Sequence, residues 1–448
     1  MTSAAVTKGT KGGLKSTITV AMSNYLEAGS IVAGAGGLSL WVKYLDINDL
    51  KLGLLGALSA NGFGAAVGAL IGGYLVDKYG RKLIYKYDLL LYMVGVLMVA
   101  LSFNFPMLLA GYLITGVAVG AAIPAAWTYI SEEAPPNERA SRVGWGQLAW
   151  SIGPVISLLL SVALAPLGLL GSRIIFGQLF VIALITWIMQ QQMSESKIWE
   201  EEKAKEVKLQ AKGQGSKSSV KELFTNKANL RAIVLLLGIY CFWNLVAGVM
   251  GYFMPYIYQK VGGLTATQAN LLQSFLWILT VASTYFIFIK FGDKTNRKVL
   301  YGIGAVMGIA AWAVLAFGGM GITELIIFVI LWGIAAGFGA QAFFGLWAGE
   351  LFHTKYRAKA QGFLFCIARV AVGLISLAVP TMLSSLGFKA SALIMIGFLL
   401  IAAVIGVLMA PETRGKSLEE IQNERYSHPE SKRGSEAPVG AVVADSRR

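Results

Sequence analysis

The chain has 448 residues, 56% of them hydrophobic and only 14% charged, whereas a soluble globular domain carries about 25% charged residues. With a mean hydropathy of +0.64, an ordinary water-soluble fold is excluded. The formal net charge of +14 calls for no nucleic acid, because the basic residues follow the positive-inside pattern of a membrane protein: once the apolar runs are taken as spans, only Lys43, Lys51, Arg173, Lys260 and Lys389 fall in the loops of one side.

In chain order, runs able to cross a ~30 Å hydrocarbon core lie at 17–41, 52–76, 83–103, 105–130, 143–165 and 172–192. A polar segment over 193–230 follows, with Glu200, Glu201, Glu202, Lys203, Lys205, Glu206 and Lys208 ahead of a Gly/Ser/Lys stretch; it reads as an amphipathic helix or linker. Further runs lie at 231–258, 267–290, 299–319, 322–347, 359–385 and 387–409. The fold class predicted is an all-α membrane protein of twelve transmembrane helices, with both termini inside and a polar, unstructured tail beyond Gln422. The first span is too long and too polar for a cleavable signal peptide. No Asn-x-Ser/Thr site occurs, which favours a non-glycosylated setting such as a bacterial inner membrane. Cys241 and Cys366 sit in spans and imply no disulfide framework.

Two landmarks repeat. Gly73-Tyr-Leu-Val-Asp77-Lys78-Tyr-Gly80-Arg81-Lys82 joins the second and third spans, and a degenerate copy, Gly292-Asp293-Lys294-Thr-Asn-Arg297-Lys298, joins the eighth and ninth. The fourth span ends in Glu132 and Arg139, and the tenth in Glu350 and Arg357, with the same spacing. Paired halves predict a bundle over 1–192, a cytoplasmic linker over 193–230, a second bundle over 231–410 and a cytoplasmic tail over 411–448. Six-span repeats around a midplane site are a common transporter design. Gly62, Gly64, Gly68 and Gly72 on the second span and Gly116 and Gly120 on the fourth read as close helix packing.

Enzyme chemistry lacks parts. Gly9…Leu14-Lys15-Ser16 has Leu where a phosphate loop requires its second Gly. His353 and His428 are the only histidines, so a metal cluster or a His-based triad is not expected. The reading is of a non-enzyme without cofactor or metal, driven by a gradient. Glu27 and Arg369 lie near the middle of spans, where a charge costs about 2.5–3.5 kcal/mol on insertion scales. Glu27 reads as a proton or substrate acceptor, and Arg369 as a substrate contact; the alternative is a structural ion pair between them. Asp77, Arg81, Glu132, Arg139, Asp293, Arg297, Glu350 and Arg357 sit at span ends on the basic side, either as solvated charges or as a gate. Asn24, Asn61, Trp127, Gln147, Trp150, Trp243, Asn244, Gln273, Gln341 and Trp347 are candidate cavity residues, since amides donate and accept while rings pack on C–H faces; helix packing is the plainer reading of each.

The turn after the second span resembles the signature loop of the major facilitator superfamily at every fixed position. That resemblance implies two pseudo-symmetric six-helix bundles, alternating access, and an inner charge network latching the bundles. Pro411-Glu412-Thr413-Arg414-Gly415-Lys416-Ser417 resembles the C-terminal motif of its sugar porter branch, and Ser194-Glu195-Ser196-Lys197-Ile198-Trp199 a worn form of the motif after span six. Gln147 matches that branch's sugar-binding Gln on span five. Elsewhere the pattern departs: its second Gln falls on Pro154, the paired Gln of span seven on Phe242 and Trp243, and the following Asn on Gly248, with Asn244 nearby. Glu27 stands where many relatives place Asp, but the partner Arg of span four is Tyr112. Gly146…Gly153-Pro154 only partly matches the antiporter motif. Tyr25-x-Glu27-Ala-Gly-Ser-Ile looks like a bacterial inositol-transporter-like subgroup. The implied function is a monomeric secondary transporter importing a sugar or a cyclic polyol such as myo-inositol with protons, with Glu27 for coupling and Gln147 and Asn244 as hydroxyl binders. Two other readings are a symporter of a sugar acid or other organic anion, with Arg369 binding the carboxylate, and a non-transporting membrane sugar sensor.

Overall fold

A computed structural model describes residues 11–211 and 220–426. The N-terminal residues before Lys11, the Gly/Ser/Lys stretch of the linker and the tail beyond Tyr426 lie outside the described residues. In the first half the helices are α1 (Lys11–Leu45), α2 (Asp49–Leu58), α3 (Phe63–Tyr79), α4 (Arg81–Ala100), α5 (Phe105–Glu133), α6 (Arg139–Ala163) and α7 (Leu169–Gln191). Helices α8 (Lys197–Ala211) and α9 (Val220–Thr225) lie between the halves. The second half comprises α10 (Lys227–Lys260), α11 (Ala266–Ser283), α12 (Arg297–Gly318), α13 (Ile322–Phe338), α14 (Ala340–Glu350), α15 (Arg357–Ser385) and α16 (Gly387–Met409), and α17 (Leu418–Tyr426) follows. Eleven stretches are long and apolar enough to cross a membrane. Helix α1, 35 residues long, is the twelfth span; Ser23, Asn24, Glu27 and Ser30 in its middle dilute its apolar character.

Capping explains where many helices begin. The Asn48, Asn104, Asn226 and Asn296 side chains accept from N–H groups of the first turns of α2, α5, α10 and α12, and Thr265 with Gln268 forms a capping box on α11. Gly80 turns α3 into α4 at φ +94°, a conformation a side chain rarely adopts.

Three expectations are corrected. The second span is not one helix: Ser59 folds its hydroxyl onto the Gly56 carbonyl and accepts from the Asn61 N–H, which breaks the helix between α2 and α3. The tenth span breaks likewise at Gly339, between α13 and α14. The tail is ordered past Gln422, because Arg425 donates to the Ala228 carbonyl and the Tyr426 hydroxyl to Asn229, binding α17 to the start of α10.

Within the first half α3 and α4 both pack on α5, and α1 lies against α6 and α7; the second half is built of α12 with α13 and α16, α11 with α13, and α10 with α15 and α16. Glycines set the α3–α5 spacing: a methyl on Gly72 would run into the backbone of Ala121, and one on Gly120 into that of Ala65. The halves meet along α3 with α15, α2 with α15, α6 with α11, and α1 with α10. Gly73 faces the backbone of Ala358 and Gly362 across the α3–α15 seam. A smooth backbone-to-backbone seam of this kind lets packed helices shift without clashing side chains.

Candidate functional site

Two constellations use the polar residues, one at mid-span and one at the end bearing the Asp77 and Asp293 turns, the motif end. At mid-span Glu27 of α1 forms a buried ion pair with Arg369 of α15, so the two span charges meet across the halves. The other carboxylate oxygen of Glu27 accepts from the Trp150 indole N–H at 3.1 Å. Arg369 also donates to the Asn61 side-chain oxygen at 3.0 Å and lies 4.6 Å over the Phe365 ring. The side-chain amide of Asn61, in the break between α2 and α3, donates in turn to the Gly248 carbonyl at 3.0 Å. Two buried charges that neutralise each other and gain further hydrogen bonds offset part of their desolvation.

Beside this cluster lies a small cavity, of about 10 Å³, lined by Asn61, Trp150, Asn244, Trp277, Gln341 and Arg369, with apolar residues of α1 and α10. The Asn244 amide N–H2, the Trp277 indole N–H and Arg369 Nε are buried without hydrogen-bond partners. The cavity therefore offers donors for hydroxyl oxygens next to the indole faces of Trp150 and Trp277, whose rings meet edge-on at 5.2 Å.

Other candidates lie elsewhere. Asn24 donates to the Gly146 carbonyl and ties α1 to α6. Trp127 packs edge-on against Phe344 and Phe365, and Trp347 stacks on Phe343. Gln273 reaches the Met250 carbonyl and sulfur. Trp243 stacks on Trp332 beside a separate small cavity in the second half. Gln147 is buried on α6 but is not among the residues lining the mid-span cavity. Two residues that sequence reasoning passed over matter here. Trp277 sits one helical turn beyond Gln273, so the amide could have marked its face. Asp88, near the start of α4, is a third buried span charge, and neither of its carboxylate oxygens meets a hydrogen-bond partner.

At the motif end the repeat becomes geometry. Glu132 accepts from Arg81 of its own half at 2.6 Å and from Arg357 of the other at 3.0 Å. Glu350 accepts from Arg297 of its own half at 3.0 Å and from Arg139 of the other at 3.1 Å. All six side chains are buried. Asp77 accepts from the first-turn N–H groups of Ala358 and Lys359 on α15 at 3.2 and 2.8 Å. Asp293 accepts from those of Ala140 and Ser141 on α6 at 3.0 and 2.9 Å. Each turn thus caps a helix of the opposite half, where a carboxylate complements the helix dipole. Burial pushes the Asp293 carboxyl up, opposed by the Ser141 and Ala140 N–H groups and by Arg297.

The segments after the sixth and twelfth spans are equivalent too. Ser196 donates to Glu132 at 2.6 Å, and Thr413 to Glu350 at 2.5 Å. Glu195 accepts from the Arg81 and Lys82 N–H groups, and Glu412 from that of Arg297.

Known proteins agree with this architecture. The sugar (and other) transporter family matches residues 48–424. The chain is 47% identical over 436 residues to the minor myo-inositol transporter IolF of Bacillus subtilis (strain 168), covering 97% of this chain and 99% of that protein. It is 28% identical over 421 residues to the glucose transporter GlcP of Staphylococcus epidermidis, covering 87% of this chain and 92% of that one. Among solved structures, the proton:xylose symporter XylE bound to 6-bromo-6-deoxy-D-glucose superposes with a TM-score of 0.75 at 19% identity, over 93% of this chain and all of that one. Twelve spans in two related halves, joined by paired charge clusters, are thus the major facilitator fold, and the chain belongs to the sugar (and other) transporter family.

Proposed function

We propose that the chain imports a cyclic polyol, myo-inositol or a close relative, together with protons, by alternating access in a bacterial inner membrane. The observation that carries the substrate class is the mid-span cavity: it is lined by amides and indoles, and Arg369, the cation facing it, is already neutralised by Glu27. Because the Arg369 charge is already paired, an organic anion would gain little net attraction there, so the sugar-acid reading is the less supported one. The 47% identity to a myo-inositol transporter favours a polyol over an open-chain sugar. In this reading the basic loops place the motif end in the cytoplasm, and the chain works as a monomer with bundles over 1–192 and 231–410. Protonation of Glu27 frees Arg369, lowering the cost of separating α1 from α15. The Glu132 and Glu350 clusters latch the cytoplasmic end until the halves rock.

The test is uptake of labelled myo-inositol into proteoliposomes with and without an inward proton gradient, with glucose and a sugar acid as competitors. Gradient-driven accumulation is expected in the wild type. Glu27→Gln should retain exchange but lose accumulation at least tenfold. Accumulation of the sugar acid instead of inositol would overturn the reading.

A further inference from the structure

At the end opposite the charge network a second cavity, of about 80 Å³, lies between α1, α6, α7 and α11. It is lined by the hydroxyls of Ser39, Ser161, Ser172 and Thr267 and the amide of Asn270, with Leu40, Leu164 and Ile175 as apolar walls, and none of its lining residues is charged. Thr267 is exposed at its rim, while Ser172 and Asn270, 3% and 4% exposed, form its floor.

The floor is pre-set. Asn270 spends one N–H on the Gly36 carbonyl at 3.1 Å, which fixes the amide, and its carbonyl oxygen is buried without a partner. Ser172 accepts from the Trp41 indole N–H at 3.0 Å, so its own hydroxyl proton remains free to donate. A free amide acceptor and a hydroxyl donor therefore line one uncharged pocket with apolar walls. That pattern suits a neutral polyhydroxylated solute and gives no counter-charge to a phosphate or carboxylate.

We infer that this cavity is an outer subsite that holds a neutral polyhydroxylated solute before it reaches the mid-span cavity. The inference rests on the proposed polyol transport and on the orientation given there. Its test compares initial rates of myo-inositol entry into cells with rates of exit from preloaded cells, for wild type, Ser172→Ala, and the rim pair Ser39→Leu with Thr267→Leu. The expected result is an entry KM raised several-fold to about tenfold, the size of effect for a lost neutral hydrogen bond, with exit KM within twofold of wild type and the maximal rates shifting so that the ratio of V/KM in the two directions, which the gradient fixes, is unchanged. An unchanged entry KM overturns the subsite, and so does an equal rise in entry and exit KM, which marks a structural role. Where the rim pair fails to reach the membrane, Ser172→Ala decides alone. A wild type that carries no polyol or sugar would bring down the transport reading and the subsite together; a wild type that carries inositol beside indifferent variants would bring down the subsite only.

Discussion

Glu27 and Arg369 were visible in the sequence because a charge in the middle of a span is rare and costly. Their pairing was not visible, because sequence spacing says nothing about which helices face each other across two bundles. The relay through Asn61 to the Gly248 carbonyl was equally hidden: it depends on a helix break that hydropathy does not register. Asp88 escaped notice because a carboxylate near a span end reads as an interfacial residue, whereas the fold buries it. The ion pair itself makes a sharp prediction. Removing one partner of a buried pair costs about 3–5 kcal/mol, while replacing both with neutral groups of similar size costs far less. Arg369→Met should therefore lower the thermal midpoint of the detergent-purified protein more than the double variant Glu27→Gln with Arg369→Met does. A double variant at least as unstable as the single one would show that the two charges do not stabilise each other.

Whole elements were the most legible level, since a long apolar run admits few structures other than a spanning helix. Breaks within them were not: a single interrupted turn at Ser59–Gly62 or Gly339, or the π-helical stretch Thr284–Ile289 in the eighth span, leaves the average hydropathy unchanged. Glycine positions separate packing from turn chemistry. Gly80 combines φ +94° with a Cβ direction that points into the Glu195 carboxylate, and that carboxylate accepts from Arg81 and Lys82. Gly177, inside α7, meets nothing where a Cβ would be added. Gly80→Ala should destabilise by about 1–3 kcal/mol through backbone strain, whereas Gly177→Ala should stabilise by up to about 1 kcal/mol through helix propensity. Melting of the two variants in detergent checks the opposite signs; a neutral Gly80→Ala would mean that the turn relaxes without cost.

At the scale of the whole molecule the halves are joined by unlike bonds towards the two ends. The motif end is held by carboxylates on backbone N–H groups and by buried Arg–Glu clusters. From mid-span towards the other end the halves are also joined reciprocally by neutral amides: Asn61 of the second span donates to Gly248 of the seventh at mid-span, and Asn270 of the eighth to Gly36 of the first nearer that end. A neutral hydrogen bond contributes about 0.5–1.5 kcal/mol and one to a charged group about 1.5–3, so the neutral joint is the weaker one, and opening away from the motif end is the expected easier direction. A cysteine at the cavity position Ala247, in a protein with Cys241 and Cys366 changed to Ser, reports that opening through its labelling rate with a membrane-impermeant thiol reagent added from outside. Asn270→Ala should speed labelling from a few-fold to about tenfold. Asp77→Asn should slow it, because loosening the motif end moves population to the state open on the other side. Faster labelling in both variants would mean that each change merely loosens the protein, and the two closures would then not be opposing sides of one equilibrium.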